Sequence, residues 1–300
     1  MSEAARAGYL ERLAARSAAT NTVLCLGIDP DPAALPEGFT RDVDGIEQFA
    51  NLILEAALPY AAAVKPNLSF YEAYGSAGLA ALERLRARIP SDVPVIGDGK
   101  RADIGTTSAR QVSAYYDSLG VDAVTVSPYL GEDAVEGYLG RTDRFAYVLC
   151  RTSNEGASEL QSLRVASAWG VDGSFVAPDE PLWARVARVA TGWGPGGTVG
   201  LVVGATAPEE LRAVRTIAPG LPFLVPGVGA QGGGIGPVLE SGSAVSAPAG
   251  DRPGGGLLVN VSRSIASAAT EDAIGTARDD LLGRLAEAAR TWALKLPVLP

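Results

Sequence analysis

The chain has 300 residues, of which 47% are hydrophobic and 20% charged, with a formal net charge of −9 at pH 7 and no histidine. This composition is typical of a globular protein, and the acidic balance disfavours non-specific binding to nucleic acid, which needs a basic surface. The absence of histidine excludes Ser-His-Asp and Cys-His catalysis and most zinc sites. Proton transfer must therefore fall to Lys, Asp, Glu or Tyr side chains.

The chain opens on an Ala-rich segment with charges of both signs. Residues 2–19 include Glu3 and Arg16, so they predict an N-terminal helix and lack the uninterrupted apolar core of a signal peptide. No apolar run in the sequence is long enough to span a bilayer. The two cysteines, Cys25 and Cys150, lie in apolar strand-like runs and are expected to be buried free thiols. We therefore expect a cytoplasmic protein with no membrane partner.

Short β-rich runs then alternate with longer helical patterns almost to the end of the chain. The predicted strands are 22–28, 62–65, 93–98, 123–126, 146–150, 198–203, 222–225 and 257–261. The clearest predicted helices between and after them are 46–58, 77–88, 107–119, 182–190, 208–217 and 272–294. Because a crossover helix joins parallel strands, about eight such units predict an α/β protein with a (β/α)₈ TIM barrel. We expect one domain over residues 1–300, with the barrel core at about 22–294.

The main alternative is an open doubly wound sheet that binds a dinucleotide. The first strand runs into LGIDPDP, at residues 26–32, and has no GxGxxG turn to hold a pyrophosphate, which disfavours that fold. In a barrel the carboxyl ends of all strands share one mouth. The residues expected there are Asp29, Lys65, Asp98, Lys100, Ser127, the group 151–154, Gly204 and Arg263.

Two stretches lack a regular pattern. Residues 156–179, which include Trp169, predict an elaborated surface connection. Residues 227–256 form a long loop before the last strand that is rich in Gly, Ser, Ala and Pro. We expect this loop to be without regular structure and to close over substrate at the barrel mouth, with an unstructured insertion as the alternative for its distal half, 241–251.

The strongest chemical signal is VIGDGKRADIGTT, at residues 95–107. In a strand, Asp98 and Lys100 project to the same side, and Asp103 follows where a helix should begin, so we expect the three charges to converge at one strand end. Burying unpaired charge is costly, so an acid, a base and an acid beside an apolar strand suggest catalysis. A solvated salt-bridge cluster on a loop is the alternative.

A second signal points to phosphate binding. The stretch VPGVGAQGGG, at residues 225–234, offers backbone N–H groups without side-chain obstruction, and Arg263 follows the last predicted strand. Barrels frequently bind phosphate with the loops after strands seven and eight, where backbone donors and an Arg surround the anion. The two features together therefore predict a phosphate site.

These motifs resemble the orotidine 5′-phosphate decarboxylase family, most closely its longer bacterial branch. The resemblance covers nearly the whole barrel: LGIDPD, KPN, the Asp-x-Lys-x-x-Asp signature in DGKRADIG, RTSNEGA, GVGAQGG and NVSRSI follow one another in order. It implies decarboxylation of orotidine 5′-phosphate to UMP and CO₂ in de novo pyrimidine biosynthesis, by a homodimer that uses no cofactor and no metal.

The resemblance also implies residue roles. The residues implied at the reacting centre are Lys100 as cation and proton donor, Asp98 beside the substrate carboxylate, and Lys65 and Asp29, which hold the ribose and complete the charge network. Those implied to enter the partner subunit's site are Asp103, Ile104 and Thr107. Asp103 would, together with Asp98, keep the Lys100 ammonium protonated. Those implied for the remaining substrate contacts are Ser153 at the pyrimidine, Gln231 and Arg263 at the phosphate, and Pro226 and Gly232 beside them.

Two alternatives stay open from the sequence. A Mg²⁺-dependent sugar-phosphate decarboxylase or aldolase of the same barrel superfamily also resembles this chain in its Asp-x-Lys-x-x-Asp strand. It would need a carboxylate where this chain has Lys65, which disfavours the metal. A non-catalytic barrel that binds a phosphorylated ligand would be expected to lose Lys100 or Asp98 while keeping Gln231 and Arg263, and all four are present.

Overall fold

A computed structural model describes residues 7–165, 179–270 and 277–299. An eight-stranded parallel sheet forms its centre, in the spatial order β2-β1-β8-β7-β6-β5-β4-β3. The strands are β1 (Leu24–Ile28), β2 (Ala63–Pro66), β3 (Ile96–Arg101), β4 (Ala123–Val126), β5 (Phe145–Arg151), β6 (Val199–Val203), β7 (Phe223–Val225) and β8 (Leu258–Val261). Bridges from Val64 to Val95 and from Asn67 to Asp98 join β2 to β3 and close the ring. The predicted barrel is therefore confirmed.

Helices surround this ring and connect its strands. They are α1 (Tyr9–Thr20), α2 (Val43–Ala57), α3 (Ser69–Glu72), α4 (Gly75–Ala87), α5 (Gly105–Val112), α6 (Glu136–Leu139), α7 (Ala157–Gln161), α8 (Leu182–Ala190), α9 (Pro208–Ile217), α10 (Ile235–Ser241), α11 (Arg263–Ala266) and α12 (Arg278–Lys295). The predicted helix 107–119 is α5 followed by a π-helical turn, Ser113–Ser118. Among the described residues, no helix is long and apolar enough to cross a membrane.

Alternation along each strand separates two apolar cores. On β1, Leu24, Leu26 and Ile28 pack with residues of the surrounding helices, whereas Cys25 belongs to a second cluster inside the barrel. Successive side chains of a strand point to opposite faces, so every second residue projects into the barrel. The same alternation brings the last inward residue of each strand to the mouth.

Helix α1 closes the amino end of the barrel. The Tyr9 ring stacks on Phe145 with 4.6 Å between centroids, and the Tyr9 hydroxyl lies 3.1 Å from that of Tyr147. Outside this contact, the Arg12 guanidinium donates to Asp122 at 3.0 Å. The predicted N-terminal helix is thus present over 9–20, while residues 2–6 lie outside the described part of the chain.

The long loop before the last strand differs from its prediction in structure and in place. Residues 235–241 form α10, and Ala244 and Ala249 are buried with Tyr9 in the cluster at the amino end of the barrel. The backbone N–H of Val245 donates to Pro219 at 2.8 Å, so the distal half is anchored rather than unstructured. The prediction of a lid there was wrong, because residues that lead into a strand lie at its amino end, opposite the mouth. Only residues 227–234, which directly follow β7, remain at the mouth.

The other irregular stretch contains α7 and a short antiparallel ladder between Arg164–Val165 and Glu180–Pro181. Residues 166–178, with Trp169, lie outside the described residues, as do 272–276 at the start of the predicted last helix. That helix is observed from Arg278 onward.

Candidate active site

A cavity of about 470 Å³ opens at the carboxyl ends of the strands. Polar groups line one part of it, and Leu149, Val202 and Leu224 give it an apolar floor. The predicted site residues that line this cavity are Asp29, Lys65, Asp98, Lys100, Ser153, Pro226, Gln231 and Arg263. The barrel thus brings together groups that are far apart in sequence.

Asp98 is the centre of the charged network. Its Oδ2 accepts a hydrogen bond from Lys65 Nζ at 2.6 Å, and its Oδ1 accepts one from Lys100 Nζ at 2.6 Å. The two ammonium groups differ in accessibility: the Lys65 side chain is 4% exposed and that of Lys100 is 52% exposed. Lys65 is therefore a buried partner of Asp98, whereas Lys100 presents its ammonium to the open cavity.

Burial and charge act in opposite directions on this network. Burial by itself disfavours the Asp98 carboxylate, but Lys65 and Lys100 outweigh that effect and hold its pKa well below the ordinary value. Burial also disfavours the Lys65 ammonium, yet Asp98 and Asp29 raise its pKa above the ordinary value. Asp98 and Lys65 are consequently both ionised at neutral pH.

Two oxygens beside this network are ready to accept hydrogen bonds. The Oδ1 atoms of Asp29 and Asn260 are buried, and neither has a hydrogen-bond partner among the described residues. Both residues line the cavity. An unpaired buried acceptor is unfavourable, so a ligand that carries hydroxyl groups would be bound here with a gain in free energy.

The loop after β5 forms another wall. Ser153 approaches the backbone of the neighbouring loops so closely that a Cβ at Gly204 would lie 2.9 Å from its Cα, and one at Gly227 would lie 3.0 Å from its Cβ. Gln161 holds this loop, because its Oε1 accepts from the Thr152 N–H at 2.9 Å and its Nε2 donates to Thr152 Oγ1 at 2.7 Å. Glycine at these neighbouring positions lets Ser153 reach the cavity.

The predicted phosphate end lies where β7 and β8 finish. The loop after β7 is a tight turn, in which the Gly233 N–H donates to Gly227 O at 3.0 Å, and Gln231 lines the cavity beside it. Arg263 begins α11 and is exposed, and its guanidinium makes no ion pair with another described residue. A guanidinium free of internal partners is suited to hold an anion.

Four of the residues to which the family resemblance assigns a role do not line this cavity. Asp103, Ile104 and Thr107 follow β3 and are not among its lining residues, and the Asp103 carboxylate accepts from the N–H of Ile104 at 2.8 Å. The expectation that Asp103 converges with Asp98 and Lys100 within one chain was therefore wrong, because after β3 the backbone is attached to the segment that follows β4, where the Asp103 N–H donates to Ala134 O at 3.3 Å. Gly232 is likewise exposed and outside the lining.

Comparison with known proteins identifies the family. The profile of the orotidine 5′-phosphate decarboxylase / HUMPS family matches residues 22–277. The orotidine 5′-phosphate decarboxylase of Thermomicrobium roseum is 43% identical over 290 residues, which cover 96% of this chain and 93% of the relative. That of Halorubrum lacusprofundi is 45% identical over 293 residues, covering 96% and 98%. The chain belongs to this family.

Solved structures agree with the assignment to the orotidine 5′-phosphate decarboxylase family. The Leishmania donovani OMP decarboxylase superposes with a TM-score of 0.74 at 32% identity, over 96% of this chain and 99% of that one. The Leishmania donovani UMP synthase gives a TM-score of 0.75 at 35% identity, and the match covers 95% of this chain and 56% of the synthase. The barrel architecture is therefore shared along nearly the whole chain.

Sequence reasoning missed several residues that line the site of this family member. Thr125 Oγ1 donates to Asp98 Oδ1 at 3.0 Å and accepts from the Lys100 N–H at 3.0 Å. Asn260 lies on β8, within the NVSRSI motif. A polar side chain at an inward position of an otherwise apolar strand is the signal that could have identified Thr125 and Asn260.

Proposed function

We propose that this chain catalyses the decarboxylation of orotidine 5′-phosphate to UMP and CO₂, with Lys100 as the proton donor. The observation that carries the proposal is the Lys65–Asp98–Lys100 network at the mouth of a barrel whose relatives bear that name. Its cavity also presents Arg263 at the end suited to a phosphate. The charged groups of the cavity therefore lie where the carboxylate and the phosphate of the substrate would be bound.

The reaction explains why these side chains are needed. Loss of CO₂ from C6 of the pyrimidine leaves an electron pair on that carbon, and no coenzyme is required if the protein stabilises the charge and supplies a proton. The Lys100 ammonium does both, since it is the exposed cation of the network. Asp98 lies beside the substrate carboxylate, and the repulsion between the two negative charges raises the free energy of the bound substrate. This repulsion disappears as CO₂ departs.

The rest of the substrate supplies binding energy. Asp29 and Lys65 hold the ribose hydroxyls, Ser153 contacts the pyrimidine, and Gln231 and Arg263 bind the phosphate. Pro226 lies under the same part of the ligand, and Gly232 approaches it when the loop after β7 closes. Contacts to a group remote from C6 can be used to order the reacting end, so they contribute to catalysis as well as to affinity.

We propose that the active unit is a homodimer, in which Asp103, Ile104 and Thr107 enter the partner's site. Apolar side chains on the same rim support this arrangement: Ile104 is 62% exposed and Tyr129, in the loop after β4, is 84% exposed. Large exposed hydrophobic groups beside a binding site are typical of a protein interface. The dimer covers this rim and completes a cavity that Asp103 does not reach within its own chain.

The cytoplasm is the proposed location, in keeping with two buried free thiols.

The deciding experiment follows orotidine 5′-phosphate by ultraviolet absorbance with purified protein and EDTA. We expect full turnover without added metal, and UMP as the product. Activity lost in EDTA and restored by Mg²⁺ would instead favour a sugar-phosphate enzyme of the same superfamily. Binding of UMP without any turnover would favour a non-catalytic barrel.

A further inference from the structure

We propose that Thr125 is a positioning residue that holds both the proton donor and its counter-charge in place. The proposal rests on the proposed decarboxylase function and assigns a role to a residue that does not itself have to touch the reacting atoms. Thr125 is the inward-facing third residue of β4 and is only 2% exposed. Its hydroxyl is the one side-chain oxygen that this strand places beside the charged network.

The need for such a residue comes from an irregularity in the neighbouring strand. Gly97 pairs with Val124 and Arg101 pairs with Val126, so β3 has two more residues than β4 between these pairs. This bulge lets both Asp98 and Lys100 face the cavity, and it places Lys100 at a φ of 49°. A left-handed backbone is unfavourable for a residue with a side chain, so surrounding contacts must hold it.

Thr125 provides those contacts through a single atom. Its Oγ1 accepts from the Lys100 backbone N–H at 3.0 Å, which has lost its place in the regular ladder at the bulge. The same hydroxyl donates its proton to Asp98 Oδ1 at 3.0 Å, the oxygen that also accepts from Lys100 Nζ at 2.6 Å. Backbone, ammonium and carboxylate are thereby connected in a closed ring of hydrogen bonds.

The strand itself does not need this hydroxyl. Valine has nearly the shape of threonine and suits a buried strand, and Val124 and Val126 occupy the positions on either side. In Thr125→Val the Lys100 N–H would lose its acceptor and Asp98 Oδ1 would lose one of its two donors. Because a displacement of about 1 Å at a reacting group can cost roughly a hundredfold in rate, the hydroxyl affects catalysis more than stability.

The test compares Thr125→Val with Thr125→Ser, which restores the hydroxyl, and with Thr198→Val as a matched control. Thr198 precedes β6 at the opposite end of the barrel, is equally buried, and its Oγ1 has no hydrogen-bond partner among the described residues. For each protein, kcat, KM and the Kd of UMP are measured together with the melting temperature. Thr125→Ala, which also lacks the hydroxyl, serves if the valine variant does not fold.

We expect Thr125→Val to lower kcat by about 10- to 100-fold while the Kd of UMP stays within about threefold of wild type. Thr125→Ser should recover most of that loss, and Thr198→Val should keep the wild-type kcat. A Thr125→Val enzyme with wild-type kcat overturns the positioning role, as does a loss that appears equally in Thr198→Val. Absence of turnover in the wild type would overturn the proposed function and, with it, this role.

Discussion

Lys100 is the lysine of this chain that a bound substrate can reach most directly. The sequence contains three lysines, and two of them, Lys65 and Lys100, lie in the cavity. Arginine supplies the positive charge almost everywhere else, for example in the surface pair of Arg84 with Glu47. An ammonium can give up its proton far more readily than a guanidinium, so lysine is the cation suited to protonate a carbanion.

Replacing this residue separates catalysis from folding. Lys100→Ala should lower kcat by about 10³-fold or more, because both charge stabilisation and the proton are lost. The melting temperature should change little, since this side chain is half exposed and Lys65 still neutralises Asp98. The control is Lys295→Ala, at the end of α12, which should retain wild-type kcat. Near-normal kcat in Lys100→Ala would remove the proton-donor role.

Arg263 is expected to act on the phosphate. Arg263→Ala should lower kcat/KM for orotidine 5′-phosphate. The loss should correspond to about 2 to 4 kcal/mol of transition-state stabilisation, the range for loss of a charge-assisted contact. The nucleoside without phosphate should be affected much less, so the comparison of the two substrates is the measurement. Arg212→Ala, on the surface of α9, provides the matched control. Equal losses with both substrates would contradict the assignment to phosphate.

Asp98 links the charged network to pH-dependent stability. The pKa of Asp98 in the folded protein lies well below the ordinary value of about 3.9. Its contribution to the free energy of unfolding is therefore fully present above about pH 3.9 and is lost as the pH falls towards the folded pKa. Asp98→Asn should therefore be less stable than wild type at pH 7, and the difference should shrink below about pH 4. Urea unfolding of both proteins across this range measures it. A difference that stays constant down to pH 3 would contradict the assigned cause.

At the scale of elements, the two ends of the barrel have separate tasks. Helix α1 and the segment after α10 close the amino end with apolar packing, whereas the loops after β1, β5, β7 and β8 help to build the cavity at the other end. Active sites of such barrels lie at the carboxyl end of the strands, and residues at the opposite end support stability. Substitutions at the amino end should therefore change stability and leave turnover intact.

Tyr9 tests this division. Tyr9→Ala removes a ring that stacks on Phe145 and should cost about 3 to 5 kcal/mol of unfolding free energy. Tyr9→Phe keeps the ring and removes only the hydroxyl beside Tyr147, so about 1 kcal/mol is expected. Urea denaturation gives both values, and kcat measured well below the melting temperature should be unchanged. A loss of kcat in folded Tyr9→Phe would show that the two ends are coupled.

For the whole molecule, the prediction concerns sites shared between subunits. If Asp103 acts in the partner's site, a heterodimer of Lys100→Ala and Asp103→Ala chains contains one intact site and one doubly altered site. Random mixing of the two inactive proteins should then restore about a quarter of the wild-type activity. The control is each variant unfolded and refolded alone. Heterodimers that form but stay inactive would rule out the contribution across the interface.

Much of this molecule could be predicted because its signals are local. Alternating apolar runs and helical patterns located all eight barrel strands, and the order of charged residues after them indicated which end is functional. Asp98 and Lys100 lie two residues apart, so strand alternation predicted that both project to the same side. The structure confirms this shared direction, although a bulge in β3 with Lys100 at a φ of 49° produces it. The polar strand ends at Lys65 and Arg263 were likewise predicted to meet, because parallel strands place their carboxyl ends together.

The errors arose where the outcome depends on tertiary contacts. Residues 241–251 have the composition of a mobile loop, but Ala244 and Ala249 are buried in the same apolar cluster as Tyr9 of α1, at the amino end of the barrel. Thr125 became part of the site only because a bulge in β3 places Lys100 opposite its hydroxyl.

The sequence by itself determined the barrel, the end at which chemistry occurs and the charged residues available there. Strand periodicity and side-chain chemistry are properties of neighbouring residues, so they can be recognised without coordinates. Only the tertiary structure decided which of those charges meet, since Asp98 contacts Lys65 and Lys100 while Asp103 does not line the cavity of its own chain. Distances of a few ångströms between separate strands depend on register and bulges, and the packing of the whole barrel sets both.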